Sequence, residues 1–238
     1  ALLDGEIDLA VHSMKDVETR LADGVCLAAI LRRADPRDRL VGATAIESLP
    51  QGAIVGTSSP RRAAQLLHRR PDVRIVTLRG NVGTRLARLA DGNPMATFLA
   101  AAGLDRLGIA AGVPLALEDW LPAVAQGAIG ITCRADDARL RARLSCHDHP
   151  ATCCAVAAER ALLEGLGGSC HTAVAAHARV ENGRVRLQAE LMSPCGRDLL
   201  REDGNSDAAD AAALGHALAE RFLSRATAAI RASLGLAT

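Results

Sequence analysis

A short stretch of the sequence places two arginines at the start of a predicted helix. Residues 53–56 (AIVG) are apolar and typical of a buried strand. Ser59 can cap a helix that begins with Pro60, and Arg61 and Arg62 then lie in its first turn. Free backbone N–H groups and the positive end of the helix dipole add to the arginine charges there, which favours an anionic ligand.

A second junction of strand and helix repeats this pattern. Arg79 and Arg85 flank residues 80–84 (GNVGT), which follow another apolar run. Ligands of open α/β sheets bind at the carboxyl ends of strands, so two such junctions predict a ligand with several carboxylates or phosphates. The glycine spacing fits neither a P-loop nor a dinucleotide fingerprint. The alternative is that these arginines only solvate the surface of a chain in which every basic residue except Lys15 is arginine.

Two further residues are of types that take part in catalysis. Asp16 lies just past a predicted strand, beside Lys15, where a carboxylate can stabilise a developing cation and shuttle protons. Cys170 follows the small residues 167–169 (GGS), where an accessible thiol can serve as a covalent attachment point. From the residues alone, a carboxylate that caps a turn and an inert cysteine are the simpler interpretations.

The composition argues against other kinds of site. Residues 146–149 (CHDH), with Cys153 and Cys154, match no standard zinc spacing, so we predict no metal. A net charge of +1 and the absence of tyrosine give no support to nucleic-acid binding. No apolar run approaches the ~20 residues of a membrane span. The 7 cysteines are irregularly spaced and are interpreted as reduced thiols in the cytoplasm.

The order of predicted elements divides the chain in two. Strands alternate with helices up to about Gly130, which predicts parallel α/β layers. A helix over 152–166, a hairpin over 180–191 around Asn182-Gly183, and one or two Ala-rich helices over 208–234 follow. We therefore expect a separate α+β domain at the C-terminal end.

Eight segments, in order along the chain, together point to a known family. They are 12–17 (HSMKDV), 35–38 (DPRD), 56–62 (GTSSPRR), 78–85 (LRGNVGTR), 102–108 (AGLDRLG), 121–128 (LPAVAQGA), 158–160 (AER) and 168–170 (GSC). Their types and order resemble the hydroxymethylbilane synthase (porphobilinogen deaminase) family over essentially the whole chain.

The resemblance implies an α/β fold with two periplasmic-binding-protein-like lobes and a small C-terminal α+β domain. Domain one is expected over residues 1–31 and 127–146 and carries the catalytic loop. Domain two is expected over 33–122 and binds the carboxylates of substrate and cofactor. Domain three is expected over 150–238 and carries the cofactor-attachment cysteine.

The resemblance also implies a reaction. A transferase of this family condenses four porphobilinogen molecules, with release of ammonia, into the linear tetrapyrrole hydroxymethylbilane. The chain grows on a dipyrromethane cofactor, which the resemblance attaches as a thioether to Cys170. Asp16 then pairs with pyrrole N–H groups and stabilises the cation. The residues expected to hold cofactor and substrate are Ser13, Lys15, Thr57, Ser59, Arg61, Arg62, Arg79, Arg85 and Arg106. A cytoplasmic monomer without metal, membrane or nucleic-acid partners is implied.

Some positions depart from the family pattern. Glu18 and Ala173 stand where proline is usual, and residues 93–98 (NPMATF) also differ. Ala125 stands where glycine is usual, and a positive φ there is one that alanine resists.

The first residues match a point well inside the family's domain one, so we expect an upstream segment that completes this domain. The alternative function is a non-enzymatic two-lobed binding protein for a polycarboxylate, which would keep the arginines but have no use for Asp16 or Cys170.

Overall fold

The computed structural model describes residues 1–169 and 171–236. The strands are β1 Leu9–Ser13, β2 Val25–Ile30, β3 Asp38–Val41, β4 Ile54–Gly56, β5 Arg74–Val76, β6 Ala96–Ala100, β7 Val113–Pro114, β8 Ile129–Arg134, β9 Val174–Glu181, β10 Arg184–Met192 and β11 Leu199–Asp207. The helices are α1 Pro60–Arg69, α2 Val82–Ala90, α3 Ala101–Arg106, α4 Ala138–Leu144, α5 Pro150–Gly165, α6 Ala211–Arg225 and α7 Ala228–Ser233. Within this described part, every helix is too short or too polar to traverse a lipid bilayer.

The first sheet has the strand order β1-β8-β2. The chain leaves it after β2 and returns, after the whole second sheet, in β8 at its centre. Both pairings of β8 are antiparallel. The expectation of parallel layers up to Gly130 is therefore wrong for this sheet. Strand β8 follows the strands of the second sheet in the sequence, and no crossover helix among the described residues precedes it that would bring it back parallel to β1 or β2.

The second sheet has the order β5-β4-β6-β3-β7. Strand β4 runs parallel to β5 and β6, as the alternation of strands and helices predicted. Strand β3 is antiparallel to both β6 and β7. The apolar side of the sheet is closed by Phe98 and Trp120, whose stacked rings have centroids 4.8 Å apart. Both side chains are buried and belong to the hydrophobic core of this sheet.

The third sheet, β11-β10-β9, is antiparallel and packs against α5 and α6. The predicted hairpin is confirmed: Asn182 and Gly183 join β9 to β10 with φ angles of 51° and 74°. The α/β fold with an additional α+β unit at the C-terminal end is confirmed as well. The three sheets draw their strands from residues 9–30 with 129–134, from 38–114 and from 174–207. The domain boundaries between them remain a prediction.

The buried carboxylate of Glu159 links three separate segments of the chain. Glu159 of α5 is fully buried and accepts two hydrogen bonds from Arg33, at 2.6 and 3.1 Å. It also accepts from the backbone N–H groups of Ala125, at 2.6 Å, and Ala178, at 2.7 Å. Ala125 has a φ of 58°, the left-handed conformation that the family's usual glycine would adopt without strain. Its N–H bond to Glu159 helps to hold the alanine there.

Candidate functional site

The three sheets meet around a cleft that contains a cavity of about 310 Å³. Its walls are formed by residues 14–19, residues 58–62, Arg85, Ala123, Val124, Gln126, Arg160, Leu163, Ser169, His171, Thr172 and Val174. Every sheet and its connections contribute to this lining. We refer to it below as the cleft.

The start of α1 is built as the sequence predicted. Ser59 is the N-cap and its hydroxyl accepts from the backbone N–H of Arg62, while Pro60 occupies the first turn. The Thr57 hydroxyl accepts from the N–H of Ser59 at 3.1 Å, which fixes the turn that precedes the helix. Thr57 itself is buried behind the turn and does not line the cleft.

Arg61 and Arg62 are held in place by one buried carboxylate, that of Asp38. Arg61 Nη2 donates to Asp38 Oδ2 at 2.9 Å, and Arg62 Nη2 donates to Asp38 Oδ1 at 2.7 Å. Trp120 Nε1 and Gln126 Nε2 donate to the same carboxylate, at 2.8 and 2.9 Å. Burial alone would raise the pKa of Asp38, but the two guanidinium charges outweigh it and hold this pKa far below its usual value. Asp38 is therefore an anion throughout the physiological range.

The cleft carries more positive charge than this carboxylate balances. Burial lowers the pKa of Lys15, and the charge of Arg62 lowers it further. Burial and Arg62 also lower the pKa of Arg85. Repulsion among these cations makes the cleft a favourable place for anions, since an anionic ligand relieves it. In addition, the Nε atom of Arg61 is buried and has no hydrogen-bond partner among the residues that the structure describes.

Asp16 brings a carboxylate to the rim of this positive cleft. It ends the 3₁₀ turn Met14–Asp16, which follows β1 directly, and its side chain is exposed. Met14 anchors the turn because its side chain is buried. No donor among the described residues forms a hydrogen bond to the Asp16 carboxylate, so a ligand can pair with it.

Arg160 fixes the segment that follows Asp16. From α5 it donates three hydrogen bonds to backbone carbonyls: to Val17 at 3.1 Å, to Glu18 at 2.6 Å and to Thr19 at 2.9 Å. Each carbonyl has one of its lone pairs satisfied by a charged donor, which favours a single loop conformation. Although Arg160 belongs to one of the family-like segments, its spacing in the sequence gave no indication of this role.

The remaining predicted residues are placed less centrally. Ser13 ends β1, just before the turn. Arg79 is exposed beyond β5, and neither it nor Arg106 lines the cleft. Among the described residues, Arg106 donates a hydrogen bond only to the carbonyl of Gly127, at 3.5 Å. Cys170 lies outside the described residues, although both of its neighbours, Ser169 and His171, line the cleft.

Sequence reasoning missed the residues that hold the site together. Asp38 and Glu159 each fell within a family-like segment, 35–38 and 158–160, but neither was given a role. A signal was available for Asp38, because one acidic residue precedes the alternating strand residues 39–41 and would point to the buried side of the sheet.

Known proteins match nearly the whole length of this chain. Residues 1–142 match the family described as "Porphobilinogen deaminase, dipyromethane cofactor binding domain", and residues 153–224 match "Porphobilinogen deaminase, C-terminal domain". A protein named porphobilinogen deaminase from Sphingopyxis alaskensis is 54% identical, over 97% of this chain and 75% of the relative. Proteins of the same name from Paracoccus denitrificans and Pelobacter propionicus are 49% and 46% identical, over 96% and 97% of this chain and 74% and 75% of the relatives.

Proposed function

This chain belongs to the porphobilinogen deaminase family, and from that premise we propose how its cleft carries out the family's reaction. The protein is a transferase that joins four porphobilinogen molecules, with release of ammonia, into the linear tetrapyrrole hydroxymethylbilane. It does so on a dipyrromethane cofactor. The observation that carries the residue-level proposal is the position of Asp16, an exposed carboxylate at the rim of a cleft lined with cations.

The cleft fits a dipyrromethane, which is a pair of linked pyrroles with acidic side arms. Lys15 and Arg85 lie near Arg62, and burial together with the charge of Arg62 lowers the pKa of both; bound carboxylates would relieve this repulsion. The Nε of Arg61 is a buried donor that no acceptor among the described residues satisfies, so a ligand carboxylate can fill that role. Arg85, Ser169 and His171 line the same cavity, and this supports the residue between the last two, Cys170, as the attachment point of a group that occupies the cleft.

When bound, the dipyrromethane supplies the pyrrole carbon to which the first substrate is joined. The residues of the chain provide the surroundings of that step. Lys15, Arg62 and Arg85 hold carboxylate arms and fix the orientation of each ring. Asp16 would accept hydrogen bonds from ring N–H groups, and its negative charge would oppose the positive charge that develops on the substrate as ammonia leaves. Because Arg160 binds the carbonyls of residues 17–19, the loop keeps the Asp16 carboxylate at the cleft.

The cofactor assignment has a direct test in the intact protein. Mass spectrometry of the purified protein should show the polypeptide mass increased by two linked pyrroles, and peptide mapping should place the addition on Cys170. The exposed Cys195 and the helical Cys153 and Cys154 should be unmodified. An addition on any of these three would overturn the assignment to Cys170. A protein that carries no addition at all, yet binds polycarboxylates, would support the non-enzymatic alternative instead.

Replacing Arg160 by alanine should lower kcat by about 10- to 100-fold, because the loop that carries Asp16 loses its three hydrogen bonds and the reacting groups are no longer aligned. KM for porphobilinogen should change far less, since the residues that bind its carboxylates are untouched. Steady-state kinetics on the cofactor-loaded variant measure both constants.

Arg20 provides the matched control for Arg160. It joins the same loop to the same helix through Glu164, at 2.9 Å, but its side chain is largely exposed. Arg20→Ala should therefore leave kcat nearly unchanged. Arg160→Lys should restore part of the activity, because an ammonium can reach some of the carbonyls. Equal kcat values for Arg160→Ala and Arg20→Ala would show that Arg160 does not position the loop.

We further propose that the protein acts as a monomer in the cytoplasm. The support is the interpretation of its cysteines as reduced thiols and the enclosure of the cleft by residues of one chain. Light scattering coupled to size-exclusion chromatography tests whether the protein is a monomer, and the mass of a dimer would contradict that proposal.

A further inference from the structure

Two cysteines face each other in the first sheet, outside the cleft. Cys26 of β2 and Cys133 of β8 are direct partners in the antiparallel register. Their sulfur atoms are 3.7 Å apart, close enough for one thiol to donate to the other. We propose that Cys26 and Cys133 form a reversible disulfide when the protein meets a peroxide oxidant.

The strand pairing supplies the geometry that a disulfide requires. Directly opposite residues of antiparallel strands have Cα atoms about 4.5–5.5 Å apart, inside the range of about 4.4–6.8 Å spanned by disulfides. Both thiols already point the same way, since both are within reach of the Arg134 carbonyl, at 3.8 Å for Cys26 and 3.3 Å for Cys133. Closing the bond therefore requires rotation of side chains and no change of strand register.

The surroundings of the two thiols assign their roles. Cys26 is half-buried, whereas Cys133 is fully buried. Burial, with the hydrogen bond to Cys26, raises the pKa of Cys133 to about 11. Because the thiolate is the reactive form, Cys26 is the thiol that meets the oxidant and Cys133 is the one that resolves the product.

The chemistry balances with hydrogen peroxide as the oxidant. The Cys26 thiolate attacks one peroxide oxygen, the O–O bond breaks, and Cys26 becomes a sulfenic acid while the departing hydroxide takes up a proton to form water. The Cys133 sulfur then attacks the Cys26 sulfur, and the S–O bond breaks. The thiol proton leaves with the hydroxyl group as a second water. Two thiols have lost two hydrogen atoms, and a dithiol reductant returns them.

The position of the pair predicts what the bond does. Cys26 lies on the strand by which the chain leaves the first sheet, and Cys133 on the strand by which it returns. The bond thus closes a loop over residues 27–132, which include the whole second sheet. Neither cysteine lines the cleft, so the bond should restrict unfolding of the sheet that carries Asp16 without obstructing the cleft.

The test treats the cofactor-loaded protein with hydrogen peroxide, blocks remaining thiols with an alkylating agent and maps the peptides. The peptides of Cys26 and Cys133 should be recovered linked, two hydrogen atoms lighter than their sum, and dithiothreitol should separate them. The thermal unfolding midpoint should rise by about 5–10 °C, with turnover unchanged.

Two variants sharpen the result. Cys26→Ser should lose both the cross-link and the rise in midpoint, whereas Cys146→Ser, at an exposed cysteine of another element, should keep both. Recovery of Cys26 and Cys133 as free thiols, while Cys146 and Cys195 have been oxidised, would overturn the proposal. So would a cross-link from Cys26 to any other cysteine.

Discussion

Replacing Asp16 by asparagine should lower the turnover of porphobilinogen by about 100- to 1000-fold, the loss typical when one preorganised electrostatic group is removed. The amide has nearly the same shape as the carboxylate and can still accept a hydrogen bond, but it carries no charge to oppose a developing cation. Asp16 is exposed and contributes little to packing, so the fold should be retained. A steady-state assay of ammonia release or tetrapyrrole formation measures the loss.

Two controls distinguish a loss of catalysis at Asp16 from a loss of surface charge or of the cofactor. Asp23→Asn changes another exposed carboxylate, in the same connection after Asp16, that does not line the cleft, and its turnover should match that of the unmodified protein. Mass spectrometry of Asp16→Asn should still find the cofactor on Cys170, because attachment depends on the thiol. Near-normal turnover of a loaded Asp16→Asn protein would contradict the role assigned to Asp16.

The sequence predicted those features that depend on a few neighbouring residues. Ser59 and Pro60 determine where α1 begins, and the structure confirms both roles. Asn182 and Gly183 tolerate positive φ angles, and the predicted hairpin is found there. The concern about Ala125 was justified in the same way, since its φ angle is indeed positive. Each of these predictions needs only local backbone sterics.

What depends on distant partners was not predicted. Strand β11 (LLREDGNSD) is mostly polar and gives no apolar alternation, because one side of it faces solvent and only its pairing with β10 makes it a strand. The antiparallel position of β8 depends on the path of the chain through another sheet. The contacts of Arg160 with residues 17–19 join positions more than a hundred residues apart. No local pattern encodes such pairs.

The arginines of α1 were predicted only in part. The sequence indicated that Arg61 and Arg62 serve an anionic ligand, and both do line the cleft. It did not show that both are already paired with a carboxylate of β3. Asp38 is 0% exposed and balances one of the two charges, which leaves the pair with a net positive charge toward the cleft. A single residue thus combines two functions, stabilising the fold and orienting the arginines.

Asp38→Asn should lower the free energy of unfolding by about 3–5 kcal/mol, because it leaves two buried guanidinium groups without a counter-charge. The amide nitrogen would also face donors, since Arg62, Trp120 and Gln126 all donate to the carboxylate. Urea unfolding at neutral pH measures the loss, and mass spectrometry should show reduced cofactor loading as Arg62 loses its orientation. The exposed Asp105, paired with Arg39, provides the control, and Asp105→Asn should cost less than about 1 kcal/mol.

The pH dependence of stability gives an independent check on Asp38. Its pKa is depressed in the folded state, so its contribution to stability is complete above the unfolded-state pKa of about 3.9 and is lost as the pH falls below that value toward the folded-state pKa. Between neutral pH and about 4, the difference in unfolding free energy between the unmodified protein and Asp38→Asn should therefore stay constant, and below it the difference should shrink. If Asp38→Asn unfolds within about 1 kcal/mol of the unmodified protein at neutral pH, the two arginines do not need this carboxylate, and the cleft must orient them by other contacts.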